Sequence, residues 1–271
     1  MLRDITIGQY FPGNSIIHRL DPRFKIVITL LYIIMLFSGG TALCLAIGTV
    51  FTLAAMALSR IPLRLFRKSV KPLMPFLLIT AAINLLLVRS GDVLWRWKSL
   101  KITEDGINIS AFMIIRIILL ICGTSLLTYT TSPITLTDAI ERLLSPLKKL
   151  RFPVHELAMM MSIALRFIPT LIEETDKIIS AQKARGAEID TGSFTARAKS
   201  LISILVPLFV SSFRRADELA TAMECRCYNG GEGRTRLRQL RSAPRDFIAL
   251  FITVMFLAGV IITGRIAPDI F

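Results

Sequence analysis

Long apolar runs are the feature of this sequence that most restricts its fold. Five stretches of 17 to 23 residues carry almost no charge. They are Phe24–Gly40, Thr41–Ser59, Pro72–Val88, Ile107–Tyr129 and Phe247–Thr263. About 20 residues of α-helix cross the hydrocarbon core of a bilayer, whereas a soluble domain mixes charged residues among its apolar ones. The pattern therefore predicts an all-α membrane protein with about five transmembrane helices.

Basic residues between these runs predict how the helices are oriented. The segment between the second and third runs carries five cations and no acid, namely Arg60, Arg64, Arg67, Lys68 and Lys71. Lys and Arg concentrate in cytoplasmic loops, so this segment and the N-terminus are expected inside the cell. We therefore expect a four-span region (1–130), a cytoplasmic coupling region of long amphipathic helices (131–245) and a C-terminal transmembrane helix (246–271) in the cell membrane.

The net charge indicates which kinds of partner surface the chain could contact. The formal net charge of +14 fits a protein beside anionic lipid or acidic partner surfaces. Nucleic acid would also suit that charge, but the apolar runs favour the lipid bilayer.

The four cysteines do not form the pattern of a disulfide framework. The polar start of the chain is not typical of a cleaved signal peptide.

The region between the fourth and fifth runs contains two long helical patterns. The first begins after Pro153 and continues without a glycine until Gly186, and the second runs from Ala196 to the glycine pair at 230 and 231. Helices of about 30 residues are about 45 Å long. Neither pattern is typical of a membrane span from end to end, because the last third of each is charged.

These two patterns end in a weak repeat. Asp176–Gly186 aligns with Asp217–Cys227, forty-one residues later. Each copy has an Arg between small residues, Ala184-Arg185-Gly186 in the first and Cys225-Arg226-Cys227 in the second. A basic residue at a helix C-terminus interacts favourably with the helix dipole. Small flanks also let a partner backbone approach a guanidinium that donates to carbonyls or carboxylates. From spacing alone, both interpretations stay open.

Catalytic interpretations find little support in the sequence. The glycine-rich segment 230–235 lacks the Lys of a phosphate-binding loop. Cys225 and Cys227 point in different directions on a helix and have no neighbouring His, so no metal site is predicted. A lipid-modifying membrane enzyme would use clustered carboxylates, but those at 173, 174 and 176 alternate with lysines, as on a solvated face.

A stand-alone secondary transporter is the other alternative. Such a protein holds ionisable or polar groups within its spans. Asn84 and Arg116 are the clear candidates here. Arg116 could face a neighbouring helix, face a partner subunit or snorkel outward, and the sequence does not decide among these.

Three segments resemble the transmembrane T component of energy-coupling factor (ECF) transporters. They are HRLDPRFKI (18–26), LLSPLKKLRFPVHELAMMMSIALRFIPTLIEETDKIISAQKARGAE (143–188) and RRADELATAMECRCYNGGEGRT (214–235). The resemblance implies a non-catalytic helical scaffold without a cofactor. It further implies two partner ABC-type ATPase subunits, which hydrolyse ATP, and a membrane S component that binds a vitamin or metal ion.

By this resemblance, the two small-Arg-small motifs are the ATPase-coupling residues. Each motif would dock on one ATPase, and ATP-driven closure of the pair would push the two helix ends together. The second motif departs from the Ala and Gly flanks more usual in the family, because Cys225 and Cys227 take their places. Cysteine is nearly as small, so docking is expected to survive, with sensitivity to oxidation or thiol reagents.

Two further expectations follow from the resemblance. Lys183 and Glu224 occupy equivalent positions with opposite charge, which predicts a preference for two non-identical ATPases. Apolar faces of the long helices are expected to contact the S component, at Met159, Met160, Ile163, Leu205 and Phe209. The S component selects the transported substrate, so this chain does not specify it.

Overall fold

The computed structural model describes residues 10–88, 90, 93–97, 100–146, 153–187, 194–230 and 242–266. The helices are α1 (Pro22–Ser38), α2 (Ala42–Ser59), α3 (Leu63–Val70), α4 (Met74–Leu87), α5 (Glu104–Thr130), α6 (Pro133–Leu144), α7 (Val154–Ala184), α8 (Phe194–Cys225) and α9 (Pro244–Ile266). A 3-10 turn, Lys71–Leu73, joins α3 to α4. The predicted all-α class is confirmed, with one short addition. An antiparallel hairpin of β1 (Val93–Trp97) and β2 (Leu100–Thr103) lies in the segment expected to be a loop.

Backbone contacts divide the chain into two compact units. Gln9–Leu136 and Leu240–Phe271 form one, which we call the spanning unit. Thr137–Gln239 belong to the other, which we call the insert unit. The C-terminal helix α9 therefore packs with the N-terminal helices, mainly with α1 and α2, although the insert unit separates them in sequence.

Five helical stretches in the described part of the chain are long and apolar enough to cross a membrane. They are Ala42–Ser59, Leu63–Leu87, Glu104–Thr130, Val154–Ala184 and Pro244–Arg265. The number matches the prediction, but the set differs from it at two helices. The first predicted span forms α1, which has only 17 residues. The fourth stretch is α7, which was predicted to couple rather than to span, and its mean hydropathy is the lowest of the five.

The basic segment between the second and third predicted spans is helical rather than a loop. It forms α3, with Phe66 buried at 3% exposure and cations on the opposite side. The 3-10 turn interrupts the α-helical path between α3 and α4, and Pro75 occupies the first turn of α4. Proline is tolerated there because the first-turn N–H groups have no helical acceptor.

The core of the spanning unit is organised around Tyr32 of α1. Its hydroxyl donates to the Leu119 carbonyl at 2.7 Å and lies 2.8 Å from Thr52 Oγ1, so one side chain joins α1, α2 and α5. A Cβ on Gly123 would lie 2.2 Å from the Tyr32 ring. Gly123 is therefore required for the close approach of α5 to α1.

The N-terminus of α1 is held to α9 by two buried carboxylates. Asp21 caps α1 by accepting from the Arg23 backbone N–H at 2.9 Å, the usual role of an N-cap aspartate. Asp246, 1% exposed, accepts from the Asp21 backbone N–H at 2.9 Å and from that of Ala243 at 2.6 Å. These bonds explain why an acid opens α1 and another opens α9.

Lys25 joins α1 to the end of α5. It is 5% exposed, and its ammonium donates to the Thr130 carbonyl at 2.9 Å, the His18 carbonyl at 3.2 Å and Thr131 Oγ1 at 3.3 Å. A cation at a helix C-terminus neutralises the carbonyls that lack helical partners. The charge within the first predicted span thus has a structural partner.

Arg116 faces a neighbouring helix, which decides among the three alternatives left by the sequence. Its guanidinium donates to the carbonyl of Gly39, the residue that ends α1. The guanidinium carbon lies 4.6 Å from the Phe112 ring centroid and 6.0 Å from that of Phe37. Arg116 therefore caps α1 between two aromatic faces, where cation–π attraction adds to the hydrogen bond.

Candidate functional site

The two long helices of the insert unit run past each other in opposite directions. α7 has 31 residues and α8 has 32, as the sequence predicted. The Gln182 amide donates to the Ser203 carbonyl at 3.4 Å, and Arg215 pairs with Glu174 at 3.3 Å. Since a lower residue number in α7 meets a higher one in α8, the helices are antiparallel.

Pro207 explains one of these contacts. It lies inside α8 and has no N–H, so the carbonyl of Ser203, four residues earlier, lacks its helical donor. Gln182 of α7 supplies a donor to that carbonyl. The link between the helices is therefore formed where the hydrogen bonding of α8 is interrupted.

The C-terminus of α7 closes in a Schellman motif. The Ala187 N–H donates to the Gln182 carbonyl at 3.0 Å, and the Gly186 N–H donates to the Lys183 carbonyl at 3.0 Å. Gly186 has φ +83°, the left-handed conformation that this motif requires. Arg185 is the residue that ends the helix, and it lies directly before the turn.

The C-terminus of α8 repeats this geometry with different residues. The Tyr228 N–H donates to the Met223 carbonyl at 3.0 Å, and the Cys227 N–H donates to the Glu224 carbonyl at 2.8 Å. Cys227 has φ +55° and so adopts the left-handed conformation that glycine adopts in α7. Arg226 directly precedes it, so the two arginines occupy equivalent positions in equivalent turns.

Both arginines are exposed at opposite ends of the helix pair. Neither guanidinium forms an ion pair or hydrogen bond within the described residues. Arg185 follows closely on Gln182, which contacts Ser203, whereas Arg226 lies 23 residues beyond Ser203 along α8. At 1.5 Å per residue, this places the arginines on the order of 30 Å apart. The structure thus presents two separate, exposed arginines, one at the end of each long helix.

The residues around the arginines are also exposed. This holds for Ala184 and Gly186 in the first motif and for Cys225 and Cys227 in the second, and both cysteines are free thiols. Lys183 and Glu224 are exposed as well. Among the residues that the structure describes, no three His, Cys, Asp or Glu side chains are grouped to hold a metal ion.

The residues predicted to contact an S component differ in exposure. Met160, Leu205 and Phe209 are 54%, 50% and 55% exposed, whereas Met159 and Ile163 are half-buried. The exposed apolar face of α8 is longer than the sequence analysis proposed. It consists of Leu201, Ile202, Leu205, Val206, Phe209, Val210 and Phe213.

The left-handed residue at each helix end yields a paired prediction. Gly186→Ala is expected to destabilise the last turn of α7, and Cys227→Gly to stabilise the last turn of α8, each by about 1 kcal/mol. A Cβ at Gly186 meets nothing within 4 Å, so only the backbone conformation is tested there. Amide hydrogen exchange should slow about fivefold in the last turn of α8 and accelerate by a similar factor in α7. Unchanged exchange in both variants would contradict the assigned turn geometry.

Comparison with known proteins identifies the family. The chain matches the cobalt transport protein family, CbiQ, over residues 13–237. The energy-coupling factor transporter transmembrane protein of Ruminiclostridium cellulolyticum is 54% identical over 262 residues, covering 97% of this chain and 98% of the relative. Proteins of the same name from Acidaminococcus fermentans and Bacillus subtilis are 51% and 44% identical over 263 and 261 residues, covering 95% and 96% of this chain and 98% of each relative. The chain therefore belongs to the CbiQ family of energy-coupling factor transporter transmembrane proteins, in agreement with the resemblance of its motifs.

Proposed function

We propose that this chain couples two ABC-type ATPase subunits to a membrane S component, and that Arg185 and Arg226 are its docking residues. The observation that carries this proposal is the equivalence of the two helix ends. Each ends in the same hydrogen-bonded turn, with an exposed arginine immediately before a left-handed residue. Two equivalent helix ends would suit two similar binding sites, one on each member of a pseudo-symmetric pair of ATPases.

Docking would use the chemistry of the guanidinium and the low surface around it. The planar fork of arginine donates several hydrogen bonds to carbonyls or to a carboxylate. Ala184 and Gly186, or Cys225 and Cys227, let a partner backbone come close to it. The insert unit would lie in the cytoplasm, as the basic segment around α3 favours. ATP-driven closure would then change the separation of the two ends.

The S component is proposed to contact the exposed apolar face of α8 together with Met160 of α7. Leu205 and Phe209 are at least half exposed on this face, and an apolar surface of that length favours a membrane or protein partner. Methionine adapts its shape to different apolar surfaces. A surface of this kind would suit an exchangeable S component.

Reconstitution of the full transporter separates this function from its alternatives. The chain is purified with and without co-expressed ATPases and an S component, and uptake and ATP turnover are measured in vesicles. The proposal expects a stable complex and uptake that requires all components. Uptake by the isolated chain would instead support a secondary transporter, and lipid turnover by the isolated chain would support a lipid-modifying enzyme.

Exchange of the charges at 183 and 224 is expected to change which ATPase occupies each end. The exposed Lys183 and Glu224 precede their arginines by two residues, so each lies at the rim of the docking point. Opposite charges favour different partner surfaces. In the Lys183→Glu/Glu224→Lys variant, cross-linking from each helix end should show reduced preference between two non-identical ATPases. Unchanged cross-linking would refute the charge hypothesis without affecting arginine docking.

A further inference from the structure

Four cations lie in a single stripe along α3 and the turn that follows it. They are Arg64, Arg67, Lys68 and Lys71, and all four are exposed. Their spacing of i, i+3, i+4 and i+7 places them on one side of a helix. None of the four forms an ion pair within the described residues. The stripe is therefore a concentrated positive surface without a partner in the described chain.

Packing on the opposite side fixes the direction of this stripe. Phe66 packs edge-on against the ring of Tyr129 in α5, with centroids 5.6 Å apart. The Tyr129 hydroxyl donates to the Leu65 carbonyl at 3.1 Å and is also hydrogen bonded to Ser69. Because α3 is held by its apolar side, the cations cannot turn inward without breaking these contacts.

A cavity lies among the cations. It has a volume of about 490 Å³ and is lined by Arg64, Arg67, Lys68, Val70, Lys71 and Met74. This volume is within the range of about 300–1,000 Å³ that small-molecule sites occupy. The lining combines four positive side chains with the apolar side chains of Val70 and Met74, which is the composition expected around a phosphate joined to an apolar chain.

The apolar end of the cavity continues along α4. Met74 and Leu78 lie three and seven residues beyond Lys71, and they are 52% and 67% exposed. Leu77, which points about 100° away from Leu78 around the helix axis, is only 3% exposed. Leu63–Leu87 as a whole is long and apolar enough to span a membrane. The same helical side thus changes from cationic to apolar as the helix enters the region of a bilayer.

We propose that this stripe and cavity bind an anionic phospholipid. Its phosphate would lie among the four cations, closest to Arg67 and Lys68. One acyl chain would lie along Met74 and Leu78. Clustered Lys and Arg beside a membrane helix attract anionic headgroups. An acidic protein surface would match the cations, but it would not match the exposed apolar side chains of Met74 and Leu78 that follow them. A free phosphate would likewise leave these apolar side chains exposed.

Competition between two lipids on the full-length chain tests this site. The purified chain in detergent is mixed with equal amounts of phosphatidylglycerol and phosphatidylcholine of the same acyl chains, and retained lipid is counted by native mass spectrometry. We expect retention of phosphatidylglycerol in preference to phosphatidylcholine. Arg67→Gln/Lys68→Gln should reduce that preference on the order of tenfold. The matched control, Arg19→Gln/Arg245→Gln, removes two exposed cations elsewhere in the spanning unit and should retain it.

Three results would overturn the proposal. The first is equal retention of both lipids by the unmodified chain, or the same loss of preference in the control as in the stripe variant. The second is displacement of phosphatidylglycerol by an equal concentration of glycerol phosphate, which would indicate a free-anion site. The third is a stripe variant that keeps its lipid preference but no longer purifies with the ATPases, which would assign the cations to an acidic protein surface. Size-exclusion chromatography of each variant verifies that it remains folded.

Discussion

Arg185→Glu and Arg226→Glu are each expected to weaken ATPase docking by a factor of 30 or more and to uncouple ATP turnover from uptake. Removal of one partner of a buried, hydrogen-bonded charge pair costs about 2–5 kcal/mol, and charge reversal adds repulsion. Because each arginine is exposed after the last turn of its helix, neither change should disturb folding or membrane insertion. Co-purification of the two ATPases and uptake in vesicles measure the effect. The double variant should lose both ATPases.

Matched controls are available on the same helices. Arg166 of α7 and Arg214 of α8 are exposed arginines that lie away from the helix ends. Arg166→Glu and Arg214→Glu make the same charge change and should leave docking within a few-fold of the unmodified chain. Equal loss in these controls would mean that total charge, not the helix ends, governs assembly. Full docking of Arg185→Glu/Arg226→Glu would refute the proposed coupling site.

Lys25→Met is expected to lower the stability of the spanning unit by about 3 kcal/mol, because hydrogen bonds to a buried charged group contribute about 1.5–3 kcal/mol and their loss leaves carbonyls unpaired. The carbonyls of Thr130 and His18 would lose their donor. Methionine has a similar length, so the change isolates the ammonium. A fall in melting temperature of about 5–10 °C is expected for the full chain in detergent.

Arg19→Met provides the comparison for Lys25→Met. Arg19 is exposed, precedes α1 and has no side-chain hydrogen bond within the described residues. Its replacement should leave the melting temperature nearly unchanged, since isolated surface substitutions usually alter stability by less than about 0.5 kcal/mol. If Lys25→Met has the same melting temperature as Arg19→Met and the unmodified chain, the buried ammonium does not hold α1 to α5.

Helices with strong local signals were predictable from the sequence. α5 carries 27 residues with few charges, and α7 continues for 31 residues until Arg185. The long hydrophobic run predicts α5, and the absence of glycine between Pro153 and Gly186 predicts α7, without tertiary information. α3 was missed because it is short. It has eight residues, of which four are apolar and three are cations, and a further cation lies on each side, so the segment resembles a loop. Its helix depends on burial of Phe66 against α5, which no local pattern contains.

The geometry of the proposed docking site was predictable in part. The forty-one-residue repeat located both arginines, and the structure places both at exposed helix ends. The left-handed conformation of Cys227 was missed, because cysteine gives no local signal for a positive φ. The repeat contained that signal indirectly, since Cys227 aligns with Gly186. The contacts of Arg116 and Lys25 could not be predicted, because they depend on helix ends that lie far away in sequence.

The hydrogen bond from Gln182 to Ser203 links α7 to α8 close to the proline inside α8. Gln182 is three residues from Arg185, and the carbonyl it binds is the one that Pro207 leaves without a donor. A proline break is where a helix bends most readily. If Arg185 docks on one ATPase as proposed, a displacement there would pass to α8 near Pro207 and would shift the part of α8 that bears Arg226. Under the proposed function, docking of one ATPase would then change the position of the helix end proposed to bind the other.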